Sequence, residues 1–342
     1  MLTLISPNHL KTIVQLSGDA IRDFLSHADA NHFKGEAQIA IKSFNANPAD
    51  FSNEKLIAYG ADTVEAINYP VRIEVRGHTK EGAAQMVAKG IWGPKRTKVA
   101  QEIGQKCNGL GLHLKLAGTS SIEFNVDGVD KSVPIRFLQS AFDDVLGEMD
   151  YQPGKHINSR QSKTVIAADG DDTIYDGPRV GLLPTLAQSP VRDVLVAYLQ
   201  AGGIFMLVSG NDINRTFNRL VPALPKEVYC RVLVAANGGA ELVYVNSKGQ
   251  AVPVSTYRKQ ALDLAHDKAH QHVLDMVYIG DDGSKEGNDY PAFKAVGFKH
   301  SVLVARKFLT DYDPGLEPAY VGGLVQGTKK FLEDFLSSRI DR

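Results

Sequence analysis

The stretch Thr164-Val165-Ile166-Ala167-Ala168 runs without interruption into Asp169-Gly170-Asp171-Asp172-Thr173. An apolar run that does not alternate suits a strand covered on both faces, as in a sheet flanked by helices on either side. Carboxylates crowded at the end of such a strand repel one another. A fold tolerates this where a cation neutralises them or where their proton affinities are pushed apart for acid/base work. The C-terminal strand ends of an open α/β sheet are also where ligands bind. Asp169 and Asp171 are spaced by two, which puts both side chains on one side of an extended segment. One could attack as an ionised nucleophile while the other carries a proton. The plainer reading is an acidic turn built from Asp and Gly, which are common in turns.

Chemistry gains ground downstream. Gly203-Ile204-Phe205-Met206-Leu207-Val208 is a second apolar run and ends in Ser209-Gly210-Asn211. The Ser209 hydroxyl and the backbone N–H groups of Gly210 and Asn211 suit a phosphoryl oxygen, although a serine in a strand-to-loop turn is the bland alternative. A third run, Met276-Val277-Tyr278-Ile279, leads to Gly280-Asp281-Asp282 and then Asn288-Asp289. Magnesium takes oxygen ligands in octahedral geometry, so Asp281 is the expected direct ligand beside Asp169, with Asp289 second, direct or through water. A lysine at such a site would bind phosphoryl oxygens and offset the charge on Asp169. Lys259, at an expected helix start, is the candidate by spacing, with Lys285, Arg258 and Lys131 as competitors. A solvated surface lysine is the ordinary alternative.

The 342 residues exceed one comfortable core, and the polar stretch 151–162, with Pro153, Gly154 and Asn158, separates two textures. We expect an N-terminal α+β domain over 1–150, a linker over 151–162 and a doubly wound, mostly parallel α/β sheet over 163–342. In the second half, helices are expected at 190–200 and 257–270. Strands are expected at 204–208, 232–236, 276–279 and 301–305, with a hairpin of 241–245 and 251–254. In the first half, Val71, Ile73 and Val75, and again Ile122, Phe124 and Val126, alternate as half-buried strands, with helices at 82–89, 98–107 and 136–149.

The ordered set of motifs resembles the haloacid dehalogenase (HAD) superfamily of phosphohydrolases, over roughly residues 160–342. Asp169-Gly170-Asp171-Asp172-Thr173 matches its first motif, Ser209 its second, and Gly280-Asp281 with Asn288-Asp289 its fourth; Lys259 matches the third in spacing only. The resemblance implies an HAD-like, Rossmann-type core with Asp169 as nucleophile and Asp171 as general acid/base. Thr173 would brace the loop around the phosphate. Mg²⁺ would be held by the Asp169 carboxylate, the Asp171 backbone carbonyl and Asp281. The usual large cap insertions are missing, so the N-terminal domain is the expected cover. Ser120 to Lys131 also looks like the strand and GVxK turn that supplies the lysine in some members. Because it precedes the nucleophile, we expect a coincidence or a duplicated element. The run Asp169 to Gly177 is further similar to the first motif of inosine-monophosphate-specific 5′-nucleotidases, which also carry an N-terminal domain.

With 38 basic against 39 acidic side chains and a net charge of -1, no global field would gather nucleic acid or an anionic membrane. Trp92 reads as a packed loop residue. Cys107 and Cys230 form no CxxC pair, and no apolar run approaches a membrane span or a secretion signal, so a cytoplasmic protein is expected. The expectation is a phosphomonoester hydrolase acting on a small phosphorylated metabolite, with a nucleoside monophosphate as the first substrate to test. The alternatives are a sugar-phosphate phosphatase, a phosphotransferase or mutase of the same superfamily, and a non-catalytic phosphate-binding regulatory module. The oligomeric state is open.

Overall fold

The computed structural model describes residues 37–42, 56–59, 71–77, 101, 112–117, 121–126, 130–149, 151, 164–177, 183–257, 276–284, 287–297, 300–305 and 319–340. The chain divides into two compact units, Met1–Gly128 and Val129–Arg342. In the first, β1 (Ala37–Lys42), β2 (Leu56–Tyr59), β3 (Val71–Gly77), β4 (Leu112–Ala117) and β5 (Ser121–Val126) form a five-stranded sheet of order β2-β1-β3-β5-β4. Only the β1–β2 pair is parallel. The alternating segments at 71 and 122 are therefore strands, paired Val71 to Phe124. The expected helices at 82–89 and 98–107, and Trp92, lie outside the described residues or, at 101, are described for a single helical residue.

The second unit begins with α1 (Ser132–Glu148), which sequence texture had assigned to the N-terminal half. Val133, Phe137, Leu138, Ala141, Phe142 and Val145 recur at helical spacing and are buried in the same core as Val165, Ala167, Met206 and Tyr278. That apolar stripe belongs to the second sheet, so the boundary falls at 128/129 and not at 151–162. Residues 152–162 of the expected linker lie outside the described set.

The sheet itself is built from β6 (Val165–Ala168), β7 (Ile204–Val208), β8 (Val232–Ala236), β9 (Glu241–Val245), β10 (Ala251–Pro253), β11 (Met276–Gly280), β12 (Ser301–Leu303) and β13 (Ala319–Tyr320). Its order is β10-β9-β8-β7-β6-β11-β12-β13. Every neighbouring pair from β8 to β13 is parallel, and β9 and β10 add an antiparallel hairpin at one edge. This is the mostly parallel sheet that the apolar runs predict.

Burial on both faces explains those runs. Val165 and Ala167 of β6 face a cluster with α1 and α4 (Tyr290–Val296), whereas Ile166 and Ala168 face another with α2 (Arg192–Gln200), α3 (Ile213–Leu220) and α5 (Val325–Ile340). β6 through β8 and β11 are buried at every position, so polar residues are admitted only where the strands end. Among the described residues, no helix is long and apolar enough to cross a membrane.

Candidate active site

β7, β6 and β11 lie side by side and parallel, so Ser209, Asp169 and Asp281 emerge from one edge of the sheet. The Asp169 backbone N–H still donates to the Ile279 carbonyl at 2.9 Å, which fixes its position relative to β11. Carboxylate oxygens of Asp169, Asp281 and Asp289 all fall within 4.8 Å of one another, forming a group able to hold a metal ion. An all-oxygen donor set of this kind suits a hard divalent cation.

Lys131 closes the cluster. Its Nζ lies 2.5 Å from Asp169 Oδ1 and 2.7 Å from Asp289 Oδ1. The ammonium is buried, as are both acids. Lys131 precedes the nucleophile in sequence, which makes it a weaker candidate there than Lys259, yet the start of α1 brings it to the strand edge regardless of chain order. Lys259, Arg258 and Lys285 lie outside the described residues.

The seat of Lys131 is built locally. Asp130 Oδ1 accepts from the Ser132 N–H at 2.8 Å and from the Ser132 hydroxyl at 2.5 Å, fixing the turn that starts α1. Gly239, at φ +97°, lets the turn after β8 approach this point: a Cβ there would lie 2.3 Å from the Asp130 carbonyl oxygen. The Tyr257 hydroxyl donates to the Gly239 carbonyl, and its ring meets Phe137 of α1 edge-on at 4.9 Å.

Asp289 stands at the start of α4, where an aspartate ordinarily caps the helix, but its side chain makes no such bond. It turns back instead. Oδ1 accepts from Lys131 and from the Tyr278 hydroxyl at 2.7 Å, and Oδ2 accepts from the backbone N–H groups of Asp281 and Asp282 at 3.1 Å each. Four donors on one carboxylate make it a brace for the Asp281 loop and for Lys131. Gly280 leaves room for it: a Cβ would meet Asp289 Oδ2 at 2.6 Å.

Burial and crowding dominate the electrostatics. Burial pushes the Asp169 carboxyl up to about 7, against the pull of Lys131 and with a further push from Asp289. Asp281 rises to about 9, from burial first and then from the neighbouring Asp289 and Asp169 charges. Burial alone would depress the Lys131 ammonium, yet Asp169 and Asp289 override it and hold the group above the ordinary lysine range. Burial raises the Tyr278 hydroxyl as well, assisted by Asp289, so it stays a donor.

Asp171 is separate from this cluster. The chain does not stay extended after Asp169: the Gly170 carbonyl accepts from the N–H groups of Ile174 and Tyr175 at 2.9 and 3.1 Å, and Asp172 sits at φ +58°. The two carboxylates engage different partners. Asp171 Oδ1 is 2.7 Å from Arg219 Nη1, and Oδ2 accepts from Asn211 Nδ2 at 3.3 Å. Thr173 is buried, with no hydrogen-bond partner for its hydroxyl among the described residues.

Ser209 is buried at the end of β7, where its Oγ accepts from the backbone N–H and Nδ2 of Asn211 at 3.1 and 3.2 Å. The Asn211 N–H that the sequence offers to a phosphate is thus directed at Ser209. Gly210 lies between them. Arg219 and Tyr278 are the site residues the sequence reading missed. Tyr278 carried no signal beyond its place in an apolar strand, and Arg219 lay on a short polar-looking helix.

The sequence matches no family model and no curated relative. Among solved structures, similarity is found to an IMP-bound mutant of the IMP-nucleotidase of Plasmodium falciparum, at 10% identity and a TM-score of 0.34, over 60% of this chain and 78% of that one. A haloacid dehalogenase-like hydrolase of Bacillus subtilis is similar at 11% identity and a TM-score of 0.33, over 56% of this chain and 97% of that one.

Proposed function

We propose that this chain is a Mg²⁺-dependent phosphomonoester hydrolase that works through an aspartyl-phosphate on Asp169. The observation that carries the reading is the buried Lys131 ammonium bridging Asp169 and Asp289 beside Asp281, at the C-terminal edge of a parallel sheet. Asp169 and Asp281 would hold Mg²⁺, which would neutralise charge and polarise the phosphoryl group. Asp289 has both oxygens engaged and serves as the brace.

Lys131 takes the part that Lys259 was expected to play: it offsets the Asp169 charge and binds a phosphoryl oxygen, with Ser209 at the neighbouring strand end. Asp169 Oδ attacks phosphorus as the ester oxygen leaves, and Asp171 gives that oxygen a proton. Asp171 then takes a proton from water, which releases phosphate from Asp169. The substrate is a small phosphorylated metabolite. The motif Asp169 to Gly177 makes a nucleoside monophosphate the first class to test.

A panel of phosphate esters, assayed with and without Mg²⁺ on the full chain, tests the reading. Turnover that requires Mg²⁺ and is abolished by Asp169→Asn is expected. Wild-type turnover in chelator, or an Asp169→Asn variant as active as wild type, would overturn it.

A further inference from the structure

Arg219 is the largest fully buried side chain of the described residues, and the phosphatase reading gives it no task. A buried guanidinium is costly unless its charge is matched and its N–H groups are satisfied. Nε donates to the Pro184 carbonyl at 2.7 Å, Nη2 reaches the Asp176 carbonyl at 3.5 Å, and the guanidinium carbon lies 3.9 Å from the centre of the Tyr175 ring. Carbonyls and a ring fix its plane without neutralising it. Asp171, 2.7 Å from Nη1, is the carboxylate it meets, and the rest of the Asp171 side chain is partly exposed.

Arg219 and Asn211 approach Asp171 from α3 and from the loop after β7, one to each oxygen. Those contacts hold the Asp171 carboxylate apart from the Asp169–Asp281–Asp289 group. A carboxylate free to swing into that group would become another metal ligand and could no longer serve the leaving oxygen. A rigid, planar cation held through Nε and Nη2 is suited to fixing the position of the carboxylate it pairs with by charge.

We infer that Arg219 is a positioning residue that holds Asp171 out of the metal site and aimed at the leaving group. The inference rests on the phosphatase reading and adds to it the source of the division of labour between Asp169 and Asp171. In the step concerned, the Asp169 Oδ–P bond forms, the P–O ester bond breaks with its electron pair going to the leaving oxygen, and the Asp171 proton moves to that oxygen.

The test is a double-mutant cycle of Arg219→Gln and Asp171→Asn, read as kcat/KM for an unactivated alkyl phosphate and for p-nitrophenyl phosphate, with Mg²⁺. kcat/KM reports the steps through leaving-group release. An alkoxide needs the proton, whereas p-nitrophenolate leaves without it. Arg219→Gln is expected to lose about 10²-fold on the alkyl ester and far less on the nitrophenyl ester. Asp171→Asn should show the same pattern, and the double variant no further loss. Arg219→Lys, which keeps the charge without the guanidinium plane, should recover part of the alkyl-ester rate, and it guards against a fold failure of Arg219→Gln. Equal losses on both esters in Arg219→Gln and in Arg219→Lys, or losses that add to those of Asp171→Asn, would overturn the inference while leaving the phosphatase reading intact. Failure of the wild type to hydrolyse either ester would remove the reading and the inference together.

Discussion

Lys131 and Asp169 meet at 2.5 Å across 38 residues of sequence, with the lysine at the start of one helix and the acid at the tip of one strand. The ammonium is shared with Asp289, so a single cation ties the tip of β6 to the start of α4. The order of the two residues along the chain has no bearing on this contact. It depends only on α1 lying against the face of the sheet that also carries α4.

Removing the ammonium should therefore cost more than removing the lysine that the sequence spacing favoured. Lys131→Ala is expected to lower kcat by about 10²-fold, the loss typical of one preorganised donor. Lys259→Ala should lower it far less. Steady-state kinetics on the two variants, at saturating Mg²⁺, separates the assignments.

Asp289 should be a stability residue as much as a functional one. In Asp289→Asn the amide NH₂ must face either Lys131 and Tyr278 or the two loop N–H groups, leaving donors opposed to donors. Breaking a buried, charge-paired contact of this kind costs about 3 kcal/mol or more. Denaturant unfolding should show that loss without added metal. Gly280→Ala is expected to act in the same direction, since its Cβ would press on the same carboxylate.

The pH dependence of the metal-free protein follows from the raised carboxylates. Asp169 and Asp281 bind protons more tightly when folded than in the unfolded chain, where their value is near 3.8. Between that value and the folded ones, about 7 for Asp169 and about 9 for Asp281, the native state holds more protons, so stability falls as pH rises. The Lys131 shift acts only at higher pH and leaves this window unaffected. Thermal melts in chelator should lose stability steadily from pH 5 to about 9, and Asp281→Asn should flatten the slope. Mg²⁺ should reverse the trend, because it binds the ionised carboxylates and displaces their protons.

Much of the sheet was legible because a strand buried on both faces leaves no freedom in the pattern. Val165–Ala168, Ile204–Val208 and Met276–Gly280 are apolar throughout, and each ends where the first polar side chain can reach the sheet edge. That geometry made Asp169, Ser209 and Asp281 readable as neighbours. The partners of Asp171 carry no sequence signal, because Arg219 and Asn211 reach it from α3 and from the loop after β7. The role of Asp289 was only half visible: its position in the loop showed, but two of its four donors are backbone N–H groups that carry no sequence signal. Lys131 and α1 were assigned to the wrong half because proximity in sequence to β5 outweighed an apolar stripe whose partner lay further along the chain. Arg219 was hidden because an arginine on a short helix reads as solvated, and only tertiary packing shows it beneath Tyr175.

During turnover, phosphorus is expected to become covalently bonded to Asp169. Acid quenching of wild-type protein during turnover of a phosphate ester radiolabelled at phosphorus, with Mg²⁺ present, tests it directly. Label is expected on the wild-type protein, released by hydroxylamine and absent from Asp169→Asn. Label persisting on Asp169→Asn, or rapid wild-type turnover with none on the protein at any quench time, would contradict it.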